Sequence, residues 1–514
     1  MKKYLLLFSF FTVTKIIAQV PEDAIRYSFY PQNGTARNMA IGGAMGSLGG
    51  DITATFVNPA GLGLFKTREF VFTPGYFLNN NKASFRQTDS KNDKNGFGLG
   101  PTGFIFGATN SNKPWRSTAI SLAITQTANF NNDIRYSGLN NYSSFSEQFA
   151  ETMAKDNLSI DEALTPNSPY AYTVSPAVYT YLIDTVTING VLQIKGAPEY
   201  ILDAGQALRQ EIIKKDRGGM YELALGYARN NNDKWYWGVS INLPIVNYSS
   251  NTYIKESDTS NNISNHFKQA EYTDDFRTTG VGLNAKLGII YRPVDHIRLG
   301  LAIHTPSYMS LTDKRSTKMV TDLENPIGHF EVKSDEFTNN QPGKSRYVQT
   351  TPFKAMLSAS YVFREIENVK KQRAFITADI EYVCHRSSRF SSNNEEPTED
   401  EKMYYKALNK VVKANYKGNF NFRVGGELKF NVIMARLGFA YYGNPYKDAG
   451  YKASRMLLSG GLGYRNKGVF VDLSYVYAIN KDVNFPYRLE DRANTYATLK
   501  QQQGNIVATV GFKF

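Results

Sequence analysis

Apolar and polar residues alternate with a period of two along much of the chain. From Val281 to Tyr291 the odd-numbered positions are mainly apolar, whereas Asn284 and Lys286 fall on the other side. Residues 235–243 and 420–430 repeat the pattern. Because residues two apart lie on the same face of a strand, the pattern predicts β-strands with one apolar face.

About fourteen such segments follow one another, each of roughly 9 to 13 residues, the length that a tilted strand needs to cross a bilayer. They begin near Glu69, Gly96, Trp115, Gly219, Lys234, Thr279, Ile297, Thr351, Arg373, Asn419, Ile433, Arg455, Val469 and Asn505. Short turns alternate with long polar connections, as in bacterial outer-membrane barrels. We therefore predict an all-β fold: a 14-stranded antiparallel transmembrane β-barrel over residues 69–514, with long extracellular loops.

Charged residues in the clearest segments fall on the face opposite the apolar one. They are Glu222, Lys286, Arg298, Lys354, Asp379, Glu381, Arg423, Glu427, Lys429, Arg436, Asp472 and Lys513. An Arg or Lys facing lipid at the bilayer midplane costs about 2–4 kcal/mol, so a face without charge is what lipid contact requires. A soluble sandwich also alternates, but strands of this length with a mixed-charge inner face favour a lumen.

The first residues have the composition of a secretory signal. Lys2 and Lys3 precede a mostly apolar stretch from Tyr4 to Thr14, and Ala18 is a small residue before a cleavage point. We predict that residues 1–18 are a signal peptide cleaved near Ala18. Elsewhere no run of 18 apolar residues predicts a spanning helix, so an exported barrel is expected in the bacterial outer membrane.

Composition excludes several other classes of protein. A single cysteine rules out an intramolecular disulfide framework and a CxxC metal site, and 34 Tyr, 32 Phe and 40 Gly are far from the composition of a disordered chain. The net charge of +13 is scattered over loops, which argues against a nucleic-acid surface. Basic loops facing outer-membrane lipid and lipopolysaccharide explain this excess.

No residue pattern indicates an enzyme. The five histidines form no HExxH or other metal-ligand spacing. Asp379 and Glu381 share one face of a strand, but Arg423 on the next strand favours a charge-compensated ladder over a catalytic pair. We expect no catalytic residue, no metal and no cofactor.

Two regions lie outside the strand pattern. Residues 19–68 contain the glycine-rich stretch Met39–Asp51, which has no phosphate-loop motif and suits tight packing in a confined space. Residues 131–218 form the longest connection, a large extracellular insertion. Its apolar spacing predicts short amphipathic helices over the mouth of the barrel. The residues are Phe145, Phe149, Met153, Ile201, Leu208 and Ile212.

The N-terminal region resembles the hatch of FadL-type outer-membrane transporters, which handle long-chain fatty acids and aromatic hydrocarbons. The likeness rests on Ala36–Met39, Gly42–Ala44, Asp51 and Asn58–Leu62, placed shortly before the first strand. It implies that residues 19–68 form a plug inside the barrel, with Asn58, Pro59, Ala60 and Gly61 as its motif. In that family, ligand is captured outside, passes an apolar pocket and leaves sideways through a break in the barrel wall.

Apolar residues around this motif are the candidates for the floor of a ligand pocket, with core packing as the alternative role. They are Phe56, Val57, Leu62, Leu64 and Phe65. A lateral exit needs a break in strand pairing, which Pro and Gly cause. Gly100, Pro101 and Gly103 form the densest such cluster in any segment, so we predict a wall kink there.

The resemblance implies passive uptake of a hydrophobic small molecule, fatty-acid-like or aromatic. The alternative is that the barrel is an outer-membrane anchor or interaction subunit of a secretion or surface complex, with protein partners that the sequence does not name. A transporter requires a cavity between plug and wall and a gap in the wall, whereas a scaffold requires neither.

Overall fold

The computed structural model describes residues 23–110, 112–188, 190–260, 262–363, 373–451 and 453–514. The predicted signal peptide, residues 1–18, and the first residues of the predicted plug, 19–22, lie outside this part of the chain.

Within the described residues, fourteen antiparallel strands pair in sequence order and the last pairs with the first. The strands are β1 (Arg68–Phe72 and Pro74–Phe85), β2 (Thr88–Asp93, Gly96–Leu99 and Thr102–Asn110), β3 (Lys113–Asn129 and Asn132–Asn140), β4 (Leu208–Asn231), β5 (Trp235–Asp258), β6 (Gln269–Val294), β7 (Ile297–His304 and Tyr308–Asp322), β8 (Gly343–Thr350 and Lys354–Phe363), β9 (Ala374–Cys384 and Arg389–Ser392), β10 (Gly418–Phe430), β11 (Ile433–Tyr442), β12 (Arg455–Asn466), β13 (Val469–Asn484) and β14 (Ala497–Lys513). Phe70 of β1 pairs with Phe512 of β14, which closes the ring. The prediction of a 14-stranded antiparallel barrel is confirmed.

The two faces of the strands differ as the sequence pattern predicted. On β6, Leu283 and Leu287 are 55% and 52% exposed on the outer face, whereas Lys286 is 7% exposed and points inward. Lys286 donates to Glu222 of β4 at 2.8 Å, so the buried charge is compensated inside the barrel. The outer face therefore carries apolar side chains and the lumen carries paired charges.

Several strands are longer than the sequence pattern predicted. β4, β5 and β6 have 24, 24 and 26 residues and rise above the end of the barrel that carries the long loops. Leu208 and Ile212, predicted to be helical, lie in β4, where Leu208 pairs with Asn140. The helical prediction was wrong because apolar residues four positions apart fall on one face of a helix and also on one face of a strand. Pairing with β3 and β5 makes this segment a strand.

Short helices cover the long-loop end, as predicted for the longest insertion. Outside the N-terminal region, the α-helices of the described residues are α4 (Glu147–Lys155), α5 (Ile160–Leu164), α6 (Val174–Tyr179), α7 (Glu199–Asp203) and α8 (Glu399–Asn415), of which α4–α7 lie in the insertion. Phe145, Phe149 and Met153 are buried in one apolar cluster with Tyr272 of β6 and Leu323. None of the helices in the described residues is both long and apolar enough to cross a membrane.

The N-terminal segment, Asp23 to Phe65, is almost entirely buried and packs against inward-facing side chains of the barrel. It contains α1 (Asp23–Arg26), α2 (Ala36–Ala40), α3 (Ala54–Val57) and the 3-10 helix Pro59–Leu64. Thr35 caps α2 by accepting the Asn38 N–H, and its hydroxyl donates to Asp51 at 2.8 Å. Local side-chain bonds of this kind replace the regular pairing that the segment lacks.

Candidate functional site

The Asn58-Pro59-Ala60-Gly61 turn joins the N-terminal segment to the wall. Asn58 Oδ1 accepts the Ala60 N–H at 3.1 Å, and its amide donates to the Gly46 carbonyl at 2.5 Å. The same amide points toward the Ile289 and Leu301 carbonyls, each at 3.4 Å. Pro59 sits at the start of the 3-10 helix, where its missing N–H leaves no donor unpaired. The Asn58 side chain thus contacts the turn, the preceding loop and the wall.

Glycines let the N-terminal segment approach the wall backbone closely. A Cβ on Gly438 of β11 would lie 2.0 Å from the Gly42 nitrogen, and one on Gly425 of β10 would lie 2.3 Å from the Ile41 carbonyl oxygen. Asp379 of β9 accepts the backbone N–H groups of Met45 and Gly46 at 3.0 and 3.2 Å. On this side the segment is fixed by backbone contact.

Buried ion pairs fill the lumen beside these contacts. Arg436 donates to both Glu427 and Asp472 at 2.6 Å. Arg423 lies 3.3 Å from Glu381 and 3.8 Å from Asp379. Each acid therefore has a cation beside it and, for Asp379, backbone donors as well. This arrangement matches a charge-compensated ladder.

The wall is interrupted in β2. Gly96–Leu99 pairs only with β1 among the described residues, whereas Thr102–Asn110 pairs with both β1 and β3. Between them, the Gly100 N–H donates to the Thr73 carbonyl at 2.8 Å. Gly103 has φ +153°, and a Cβ there would lie 2.1 Å from the Leu122 carbonyl oxygen. Of the predicted kink residues, Gly100 and Pro101 lie in this interruption, and Gly103 is the second residue of the paired segment that follows it.

Side chains span the interruption where the backbone ladder stops. The ladder between β2 and β3 ends at Thr102 and Ile124. Beyond it, Asn33 of the N-terminal segment donates to the Leu99 carbonyl at 3.0 Å and to the Gln126 carbonyl at 2.8 Å. A few side-chain hydrogen bonds break more readily than the many backbone hydrogen bonds of a continuous strand ladder.

A cavity of about 310 Å³ lies directly behind this interruption. Its lining mixes aromatic, aliphatic, polar and charged residues from the N-terminal segment, β1–β5 and β12–β14. The charged members are Arg26, Lys94, Lys214, Asp216, Arg455 and Asp482. The members relevant to the interruption are Tyr30, Asn33, Phe77, Gly96, Gln126 and Phe130. Burial raises the pKa of the Tyr30 phenol, so the ring stays neutral. The cavity can therefore accept a partly apolar molecule without placing it against a phenolate.

A second cavity, of about 90 Å³, shares Tyr30, Gln32 and Asn33 with the first. Charged groups dominate its lining, among them Lys286, Glu222, His304, Lys354, Glu381 and Arg423. The first cavity is the better place for an apolar molecule, because it is larger and because its lining also contains Phe77, Phe130, Leu457 and Val476.

The five residues predicted to floor a ligand pocket lie in three different apolar clusters. Phe56, Leu62 and Phe65 share one cluster, Val57 lies in a second and Leu64 packs against a third. Phe56 also lines the smaller cavity. The structure does not gather these side chains around one space, so their role as a pocket stays a prediction.

Sequence reasoning missed the residues that join the N-terminal segment to the interruption. Asn33 and Gln126 carry the bridging bonds, and Tyr30 lines both cavities. The Asn33-Gly34 dipeptide after Pro31 is a turn signal, but it does not say what the turn contacts.

In the described part of the chain, no three His, Cys, Asp or Glu side chains are grouped so as to hold a metal ion.

Comparison with known proteins identifies the type of fold. No protein-family model matches the chain, and no curated protein matches it. Among solved structures, a Pseudomonas aeruginosa FadL homologue is 13% identical, with 93% of this chain and 98% of that chain covered and a TM-score of 0.50. The P. putida toluene transporter TodX is 14% identical, with 94% and 99% covered and a TM-score of 0.51. The chain therefore has the FadL-type fold.

Proposed function

We propose that this FadL-type barrel is a channel of the bacterial outer membrane through which hydrophobic small molecules enter by passive diffusion. The observation that carries the proposal is the interrupted β2–β3 ladder with a cavity of about 310 Å³ directly behind it. The similarity to a toluene transporter supports an aromatic or other apolar cargo. No chemical step and no cofactor is required.

The proposed route avoids the smaller cavity and its ion pairs. Ligand enters beneath the helices of the long-loop end and reaches the cavity lined by Phe77 and Phe130. It leaves sideways between β2 and β3, where Asn33 and not a backbone ladder joins the strands. Phe97, 82% exposed on the outer face of β2, marks the exit as apolar. The cargo therefore leaves a mixed cavity for an apolar outer surface.

In this proposal the N-terminal segment is a plug. Its backbone contacts at Gly42 and Ile41 and its bonds to Asp379 support a fixed position within the lumen. A fixed plug prevents ions and water from crossing, while the lateral route stays available to apolar molecules. The anchor or interaction-subunit alternative requires neither a cavity nor a wall interruption, so these features support it less well.

A reversible crosslink across the interruption tests the exit. Cysteines at Leu99 and Gln126, in a Cys384→Ser background, are joined by a short cleavable bis-methanethiosulfonate, and toluene or fatty-acid uptake is measured. We expect uptake to fall to near background and to return after reduction. The control pair is Ser360 and Thr377, whose hydroxyls bond at 3.0 Å across the continuous β8–β9 ladder.

Heat-modifiable migration on gels verifies that each variant is a folded barrel. Full uptake by the crosslinked Leu99–Gln126 pair would exclude this exit. Equal losses in the control pair would show that the crosslink disturbs the barrel in general, and the proposal would lose its support.

A further inference from the structure

Four lysines form a row on the outer face of the barrel. The strand register places Lys82 of β1 directly opposite Lys91 of β2 and Lys500 of β14, and places Lys500 opposite Lys481 of β13. All four are exposed. Their position follows from strand pairing across four neighbouring strands, so the row is a built feature of the wall and not a chance cluster on a loop.

The row lies just above the apolar band of the outer face. On β13 the outward side chains run from Tyr475 and Tyr477 through Ile479 to Lys481. Lys481 lies four positions after Tyr477, which is about 13 Å along a strand and about 10 Å of height at the usual tilt. Aromatic side chains mark the membrane interface in such barrels, so the row is at headgroup level.

The charges of the row are incompletely compensated by the protein. Like charges directly opposite on neighbouring strands destabilise a sheet. Lys82 is paired with Asp89 at 2.7 Å, and no other ion pair of the row is found among the described residues. Lys82, Lys481 and Lys500 line a surface groove of about 450 Å³, which Asp89 and Asp482 also line. Cations outnumber the acids there, so the groove favours an anion.

We infer that this row, Lys82, Lys91, Lys481 and Lys500, binds the phosphate groups of a lipid A-type glycolipid in the outer leaflet. The inference rests on the proposed outer-membrane location. A bisphosphorylated amphiphile fits both features of the surface, with phosphates on the lysines and acyl chains on the apolar side chains below, such as Ile479. Clustered cations next to a membrane attract anionic headgroups in this way.

Native mass spectrometry of the full chain in a neutral detergent measures the binding. The probe is diphosphoryl lipid A, compared with monophosphoryl lipid A, phosphatidylcholine and inorganic phosphate. The variant changes all four lysines of the row to Gln. The matched control changes Lys402, Lys406, Lys410 and Lys413, which lie on α8, to Gln and removes the same charge. We expect the row variant to bind diphosphoryl lipid A about tenfold or more weakly and the α8 control to bind like the wild type.

The order of the probes separates the sources of phosphate. We expect diphosphoryl lipid A to bind better than the monophosphoryl form, and inorganic phosphate at equal phosphate concentration not to compete. Unchanged affinity in the row variant, equal losses in the α8 control, equal binding of phosphatidylcholine, or full competition by inorganic phosphate would each overturn the inference.

Heat-modifiable migration and apolar uptake are measured on the same variants. A wild-type barrel that is folded and takes up apolar substrate normally, but binds diphosphoryl lipid A no better than phosphatidylcholine, refutes the lysine row alone. A chain that does not partition with the outer membrane refutes the location on which the inference rests. The two failures are therefore distinguishable.

Discussion

Opposite sides of the barrel hold the N-terminal segment in different ways. At β9–β12 the strand ladders are continuous, and the wall touches Ile41 and Gly42 through glycines with no room for a Cβ. At β2–β3 the ladder stops, and the side chains of Asn33 and Gln126 join the two strands. Close backbone contact holds the N-terminal segment in one position against the wall, whereas a side chain can give up its hydrogen bonds by changing rotamer. The difference supports our proposal of one anchoring side and one side that opens for the cargo.

The largest expected effect is on the anchoring side. Arg436→Met leaves the Glu427 and Asp472 carboxylates without their shared partner in the lumen. Breaking a buried ionic network by removing one partner costs about 3–5 kcal/mol. We expect a loss of that size in unfolding by urea, followed by the gel shift of the folded barrel. Arg465→Met is the control, because Arg465 is partly exposed and lies 3.8 Å from Asp472; equal losses would mean that the network is not what stabilises this side.

Displacing the segment from its anchoring side is the second test. Gly438→Val introduces a Cβ that would lie 2.0 Å from the Gly42 nitrogen, whereas at Gly460 the nearest neighbours of such an atom are 3.4 Å away or farther. We expect Gly438→Val to raise the conductance of single channels in planar bilayers and Gly460→Val to leave it unchanged. A closed Gly438→Val channel would contradict the role of this contact.

A smaller effect is expected where side chains span the interruption. Asn33→Asp keeps the shape and the acceptor for the Gly34 N–H but removes the donors to Leu99 and Gln126. An unsatisfied carbonyl costs about 1–3 kcal/mol, so amides near Gln126 should exchange hydrogen about tenfold faster or more. Asn466→Asp, the control, adds the same charge at the exposed end of β12. Protection unchanged in Asn33→Asp would show that the interruption is held by other contacts.

The smallest effect concerns the helices over the long-loop end, away from both the anchoring side and the β2–β3 interruption. Burial raises the pKa of Glu199 to about 7 from an ordinary value of 4.5, although its carboxylate accepts the Gly196 N–H at 2.6 Å. Between these values the folded protein binds more protons than the unfolded protein, so this contribution to stability falls as pH rises from 4.5 to 7. We expect faster hydrogen exchange in α4 and α7 at pH 8 than at pH 5, after correction for intrinsic rates.

Glu199→Gln keeps the acceptor for Gly196 and should flatten this pH dependence. Burial also raises the pKa of Glu147, so the dependence should weaken and not vanish. Glu211→Gln, at a partly exposed carboxylate paired with Arg135, is the control. An equally steep profile in Glu199→Gln would assign the pH dependence to other groups.

Much of the barrel could be predicted from the sequence because lipid and lumen impose opposite chemistry on successive residues. Leu283 and Lys286 lie on the expected faces for this reason. The strand extensions above the barrel were missed, because at Leu208 and Ile212 both faces meet protein or water and the contrast disappears. There, pairing partners and not local pattern decide the structure.

The candidate site was less predictable, because its geometry depends on contacts between distant parts of the chain. Pro101 and its neighbouring glycines gave a local signal for a broken strand. By contrast, the bonds from Asn33 to Leu99 and Gln126 join residues 66 and 93 positions apart. Leu62 and Leu64, although adjacent to the motif, pack in different clusters. Proximity in sequence to a motif thus did not place a side chain in a cavity.

The bond between the Ala36 N–H and Thr509 has a consequence for the order of assembly. These residues are 473 positions apart. The N-terminal segment cannot complete its contacts until the last strand has been made and has paired with β1. Contacts of such long separation slow folding, since the loop must close before they contribute. The segment therefore completes its packing only when the ring closes, and we expect its last contacts to form late in folding.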